Sequence, residues 1–144
     1  MSEKDIFIIL VDANKERVQA LAAKLKPFGY SVQVCSTLED SLNVLKNTTA
    51  QLIIIEQSVF DNYHANYKAQ LKKMNLENTA LYMLKTAKTC ELKKYFAKGV
   101  VGYFENSLDA RTLMNGIRKS LLPQQLQWQV TLSRSPEEYL SFIA

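Results

Sequence analysis

The sequence predicts an α/β protein: a doubly wound sheet of five parallel strands with helices on both faces, followed by a C-terminal extension. Three observations carry this prediction. Leu52-Ile53-Ile54-Ile55 is an unbroken run of large apolar residues, most of them β-branched, with no solvated face. A strand written this way is buried on both sides, as at the centre of a parallel sheet. Short apolar runs alternate with segments whose apolar residues recur every three or four positions, the pattern of a βα repeat. The connections between them are short, and Pro27, Gly29, Gly99 and Pro123 fall at segment ends.

Taken in order, Ile6 to Val11 reads as a first strand, with Asp12 at its carboxyl end. Val18, Leu21, Ala22, Leu25 and Phe28 describe one face of a helix, capped by Asn14 and closed by Pro27 and Gly29. Ser31 to Cys35 is a short second strand. Thr37 opens a second helix, with Asp40 near its start and Leu38, Leu42 and Leu45 inward. The central strand ends in Glu56, and Gln57 to Tyr63 reads as irregular chain. A third helix is expected from near Ala65 to Met74, with Tyr67, Leu71 and Met74 facing in. Ala80 to Leu84 is a fourth strand. Thr89 caps a fourth helix with Leu92 and Phe96 on its apolar side, and Gly99 ends it. Val100 to Phe104 is a fifth strand. Ser107 caps a fifth helix carrying Ala110, Leu113, Met114, Ile117 and Leu121, which Pro123 stops.

The chain has 144 residues and a net charge of +4, which suits one domain with a real core. The apolar run near the start is too short for a signal peptide or a membrane span, so the expectation is a cytoplasmic protein that does not enter membranes. Cys35 and Cys90 have no metal-type spacing and read as ordinary thiols. His64 is the sole histidine, so no histidine cluster can hold a metal. The basic surplus is local: 11 Lys and Arg against 5 Asp and Glu between Asp61 and Pro123. No aromatic stacking pattern interleaves these cations. The surface is therefore read as solvated or turned to an acidic partner, and nucleic acid is not expected.

The residues at the strand ends resemble those of the receiver domain of bacterial two-component response regulators. Val11-Asp12-Ala13-Asn14 falls where receivers carry a pair of acids after the first strand. Leu52-Ile53-Ile54-Ile55-Glu56 falls where they carry the phosphorylated Asp. Gly99-Val100-Val101-Gly102-Tyr103-Phe104-Glu105-Asn106-Ser107 is similar to their Gly-Ala-Asp-x-Tyr-Leu-x-Lys-Pro. The resemblance covers roughly Asp5 to Leu122, giving a receiver-like domain over 1–122 and an extension over 123–144. It implies the flavodoxin-like fold, strand order 2-1-3-4-5. It places Tyr103 at the switch aromatic and Asn106 at the lysine. The Ser/Thr position falls on Thr86 counting forward from Glu56, and on Leu84 counting back from Asn106.

The departures from the family pattern bear on function. Ala13 removes a direct Mg²⁺ ligand, Glu56 replaces the acceptor Asp, and Asn106 removes the cation that meets the phosphoryl group. Phosphoryl transfer depends on a positioned nucleophile and on charge neutralisation by Mg²⁺ and a cation. Mg²⁺ wants near-octahedral oxygen ligands, and one more methylene displaces the attacking oxygen. The resemblance therefore implies a degenerate receiver, with Asp12, Ala13, Glu56, Thr86 and Asn106 as a vestigial site. No catalytic residue, metal ligand or cofactor is assigned. The rivals are a receiver that is phosphorylated with altered geometry, and a small-ligand-binding domain on the same fold. The second lacks any Gly-x-Gly-x-x-Gly or phosphate-loop motif.

Blander readings stand beside these. Asp12 also suits an acid facing the dipole of the first helix. Glu56 reads as a solvated strand-end acid, or as an acid paired with Lys85 in imitation of a phosphorylated aspartate. Tyr103 reads as half-buried packing, and Cys90, near a helix start, as a bland thiol. Lys85, Lys88, Lys93, Lys94 and Lys98 gather around the fourth helix, on the face that receivers offer to partners. The expected partner is a signalling protein with an acidic surface, or an output domain fused or absent.

The extension alternates without a break from Gln125 to Leu132, with Leu126, Trp128, Val130 and Leu132 on one side. Period two predicts a strand that pairs with an edge, within the chain or across a homodimer, the alternative being a linker. Ser135-Pro136-Glu137-Glu138 then looks like a capping box.

Overall fold

The computed structural model describes residues 6–63, 67–76, 79–87, 92–105 and 109–133, with 122–133 described through the backbone only. The strands are β1 (Phe7–Val11), β2 (Ser31–Cys35), β3 (Leu52–Glu56), β4 (Ala80–Lys85) and β5 (Gly102–Glu105). All pairings are parallel, in the order β2-β1-β3-β4-β5. This is the predicted sheet. The helices are α1 (Lys15–Leu25), α2 (Leu38–Leu45), α3 (Gln57–Asp61), α4 (Tyr67–Lys73), α5 (Leu92–Ala97) and α6 (Ala110–Ser133).

The pleat divides the apolar residues between two cores. Ile9, Val11, Ile53, Ile55 and Met83 face α2, α4 and α5, whereas Ile8, Leu10, Leu52, Ile54 and Leu84 face α1 and α6. β3 is buried along its whole length, which is why its sequence has no polar alternation. Each fully buried large side chain contributes roughly 1.5–3 kcal/mol. Parallel register aligns the carboxyl ends of the central strands: Val11 lies opposite Ile55, so Asp12 emerges beside Glu56.

The helix caps read from sequence are present. Asn14 accepts from the Arg17 amide at 3.0 Å, and Thr37 accepts from the Asp40 amide at 3.1 Å. Gly29 and Gly99 take the left-handed conformation at φ 93° and 101°. Thr89 and Ser107 lie outside the described residues.

Three expectations are corrected. Gln57 to Tyr63 is not wholly irregular, because α3 opens directly from β3. The Glu56 side chain caps it by accepting from the Ser58 amide, a role seldom filled by Glu. On α5 the inward aromatic is Tyr95, not Phe96, which is 46% exposed. Tyr95 is drawn in by Asp61 and Gln57, whose side chains its hydroxyl bonds at 2.7 and 3.2 Å. Last, Pro123 does not stop α6, and Gln125 to Leu132 is helix instead of strand. Gln and Leu are good helix formers, and a helix already nucleated upstream needs no new nucleus beyond the proline. No helix among the described residues is long and apolar enough to cross a membrane.

Candidate functional site

The carboxyl ends of β1 and β3 hold two buried acids, and the sequence reading missed the residue that joins them. Asp12 is 3% exposed and Glu56 is 1% exposed. Arg17, in the first turn of α1, turns back over both. Its Nε donates to Asp12 Oδ2 at 2.6 Å and its Nη2 to Asp12 Oδ1 at 2.8 Å, a two-pronged pair. The same Nη2 lies 3.5 Å from Glu56 Oε1. Asp12 Oδ1 also accepts the Asn14 amide at 2.9 Å, so the turn into α1 and the ion pair share one carboxylate.

Glu56 is neither a solvated strand-end acid nor a partner of Lys85. Its Oε2 accepts from the Ser58 amide at 2.8 Å and from the Thr86 hydroxyl at 2.8 Å, and its Oε1 accepts from the Ser58 hydroxyl. Burial alone would push its carboxyl up. The bonds from Ser58 and Thr86, with the positive charge of Arg17, outweigh burial and hold it below the ordinary value. The Arg17 guanidinium is held above its own ordinary value, first by its hydrogen bond to Asp12.

The open choice between Leu84 and Thr86 has a geometric answer. Leu84 pairs with Glu56 in register and points into the α1/α6 core, 3% exposed. Thr86, just past β4, is the residue whose hydroxyl reaches the carboxylate. Ala13 is exposed and lines a shallow cleft with Thr37, Glu39 and Asn62. Asn106 lies outside the described residues, as do His64, Lys88 and Cys90. Cys35 is buried, which raises its thiol above the ordinary value.

Mg²⁺, which the resemblance implies, does not fit this arrangement. Ala13 offers no oxygen. Both Asp12 oxygens and Glu56 Oε1 already face a guanidinium, and Glu56 Oε2 accepts two hydrogen bonds. A hard dication needs several free oxygens in fixed geometry. Among the described residues no group of three or more His, Cys, Asp or Glu comes together.

The lysines around the fourth predicted helix do not act as one set. Lys85 faces Glu105 at 3.4 Å and stands 5.7 Å from the Tyr103 ring centroid, with Tyr103 turned outward and 37% exposed. Lys94 lies 3.8 Å from Asp61, and Lys98 stands 5.7 Å from the Phe60 ring centroid. Lys93 is exposed. Phe96 and Val101, 46% and 57% exposed, are the other large apolar side chains left in water among the described residues.

No protein-family model matches the chain. No curated protein matches it either. Many solved structures share its fold. The N-terminal domain of a response regulator/sensory box/GGDEF 3-domain protein from Carboxydothermus hydrogenoformans superposes with a TM-score of 0.70 at 16% identity, covering 84% of this chain and 98% of that one. A CheY-like receiver domain protein from Methanospirillum hungatei gives 0.68 at 18% identity, covering 85% and 98%. The chemotaxis response regulator CheY4 of Vibrio cholerae gives 0.64 at 19% identity, covering 79% and 97%. At such identities the likeness establishes the receiver-type fold.

Proposed function

We propose that this chain is a pseudo-receiver: a non-enzymatic signalling module of the cytoplasm that works by binding a protein partner and is not phosphorylated through the Asp/Mg²⁺ route. The observation that carries this reading is Arg17 lying across Asp12 and Glu56. The guanidinium supplies, as part of the chain, the positive charge that a metal would bring. It also stands between the two buried acids and solvent, itself 26% exposed. Glu56 is spent as a structural acceptor for Ser58 and Thr86. Its oxygens are hydrogen-bonded and buried, so the nucleophile is neither free nor aimed.

The partner surface in this reading is the α5–β5 side, where Phe96 is exposed on α5 with Lys93 and Lys94, and Tyr103 is exposed on β5 beside Lys85. Apolar side chains rimmed by cations suit an acidic signalling partner or an output domain. Incubation with acetyl phosphate and Mg²⁺ followed by intact mass measurement tests the proposal. An unmodified mass is expected. A stoichiometric phosphoryl adduct that Glu56→Gln abolishes would establish the rival, a receiver phosphorylated with altered geometry.

A further inference from the structure

At the far end of the sheet from Asp12 and Glu56, a cavity of about 340 Å³ opens beside the amino-terminal ends of β4 and β5. Its buried floor is Leu71, Leu76 and Leu81, at 4%, 9% and 3% exposure. Val101 stands at its mouth. Lys68 and Lys72, one turn apart on α4, stand on the wall. The volume lies at the small end of ligand pockets, about 300–1,000 Å³.

Four polar groups of the lining are already bonded within the protein. The Thr79 hydroxyl donates to the Ala50 carbonyl at 2.8 Å. The Thr79 amide donates to the Leu76 carbonyl at 3.1 Å, the Val101 amide to the Leu81 carbonyl at 2.9 Å, and the Gly99 amide to the Phe96 carbonyl at 3.1 Å. Lys68 and Lys72 are exposed and make no ion pair with any of the described residues. Like charges four residues apart on a helix repel, so this pair is an uncompensated cationic site beside apolar floor. Gly99 contributes to its shape. At φ 101° it sits against the Lys68 stem, and a Cβ there would come within 2.7 Å of Lys68 Cδ. The stem is thereby laid along the wall.

From this placement we infer a binding site for a small amphipathic anion: one compact aromatic or alkyl body on the leucine floor, and one carboxylate or phosphate head between Lys68 and Lys72. The body gains from leaving water. The side chains of the floor, Leu71, Leu76 and Leu81, offer it no hydrogen-bonding group. The head meets the two cations that nothing else described in the protein engages. The site shares no residue with the Arg17 cluster, nor with Phe96, Tyr103, Lys93 and Lys94.

Titration of the protein with 2-naphthoate, followed by calorimetry and by amide chemical shifts, tests the inference. Saturable one-to-one binding is expected, with shifts centred on α4 and the start of β5. Lys68→Gln/Lys72→Gln should weaken it about tenfold or more and remove its salt dependence. Val101→Trp, at an exposed position that the fold does not depend on, should block it while leaving the circular dichroism unchanged. The neutral analogue 2-naphthalenemethanol should bind more weakly than the acid. Absence of saturable binding to the unmodified protein would overturn the site. So would equal affinity of acid and alcohol, or binding that survives both variants.

Discussion

Arg17 and Asp12 are joined by two parallel hydrogen bonds of 2.6 and 2.8 Å, and only the arginine of the pair reaches solvent. A buried carboxylate that loses its cation is left charged in a poorly solvating place. Arg17→Ala should therefore destabilise the protein by about 2–3 kcal/mol, below the figure for fully enclosed pairs because the side chain is 26% exposed. Arg17→Lys should fall between, since a lysine keeps the charge and loses the fork. Urea denaturation measures both. Equal stability of all three proteins would show that the pair contributes nothing.

Glu56 makes stability depend on pH with a definite sign. Its folded value lies below the ordinary 4.5. The unfolded state therefore binds the proton first as pH falls. The stabilisation is present above about pH 4.5 and is lost as pH drops through the lowered folded value. Glu56→Gln, which has no charge to lose, should show a flatter acid limb in stability against pH. The gap between the two proteins should narrow on acidification from pH 6 to pH 3.5. A constant gap would mean that Glu56 titrates alike folded and unfolded.

The sequence showed the sheet more clearly than the site, for a physical reason. Burial on both faces leaves a mark on neighbouring residues, so β3 and β1 could be read from their own letters. The Asp12–Arg17–Glu56 contact is made by parallel register, which sets residues 12 and 56 side by side and which no local pattern encodes. One signal was present. Arg17 is a cation in the first turn of α1, where the helix dipole favours acids, and such a cation calls for an acid outside the helix. Thr86 stayed ambiguous because counting residues cannot see the pleat that sends Leu84 into the core. The extension misled because Gln alternating with large apolar residues has period two, while both residue types extend a helix readily.

Gly102 should resist even the smallest enlargement. It lies in β5 beside the Tyr82 ring, and an added Cβ would come within 2.5 Å of that ring. Tyr82 is 3% exposed and stacks on Phe104 with ring centroids 4.9 Å apart, so it has nowhere to move. Gly102→Ala should cost about 1–3 kcal/mol through overpacking. A second change, Tyr82→Leu, removes the ring and should make the alanine much less harmful. Thermal denaturation of the two single variants and the double variant measures the coupling. Additive losses would place the strain elsewhere.

Pro123 provides a direct comparison between the two readings of the C-terminal extension. In the structure α6 runs from Ala110 to Ser133, so the proline sits inside a helix. It has no amide hydrogen to donate to the carbonyl of Lys119, and a proline in a helix interior costs about 3 kcal/mol in general. Pro123→Ala removes that penalty and should raise the helical signal at 222 nm. The gain should appear in the last turns and leave the denaturation of the sheet nearly unchanged, because those turns lie beyond Leu121, the last core residue described on α6. Amide exchange should then slow from Gln124 toward Ser133. If residues 125–132 were instead a strand, the alanine would extend no helix, and neither the 222 nm signal nor the exchange rates would change. A proline whose removal left both untouched would return the segment to the strand or linker reading.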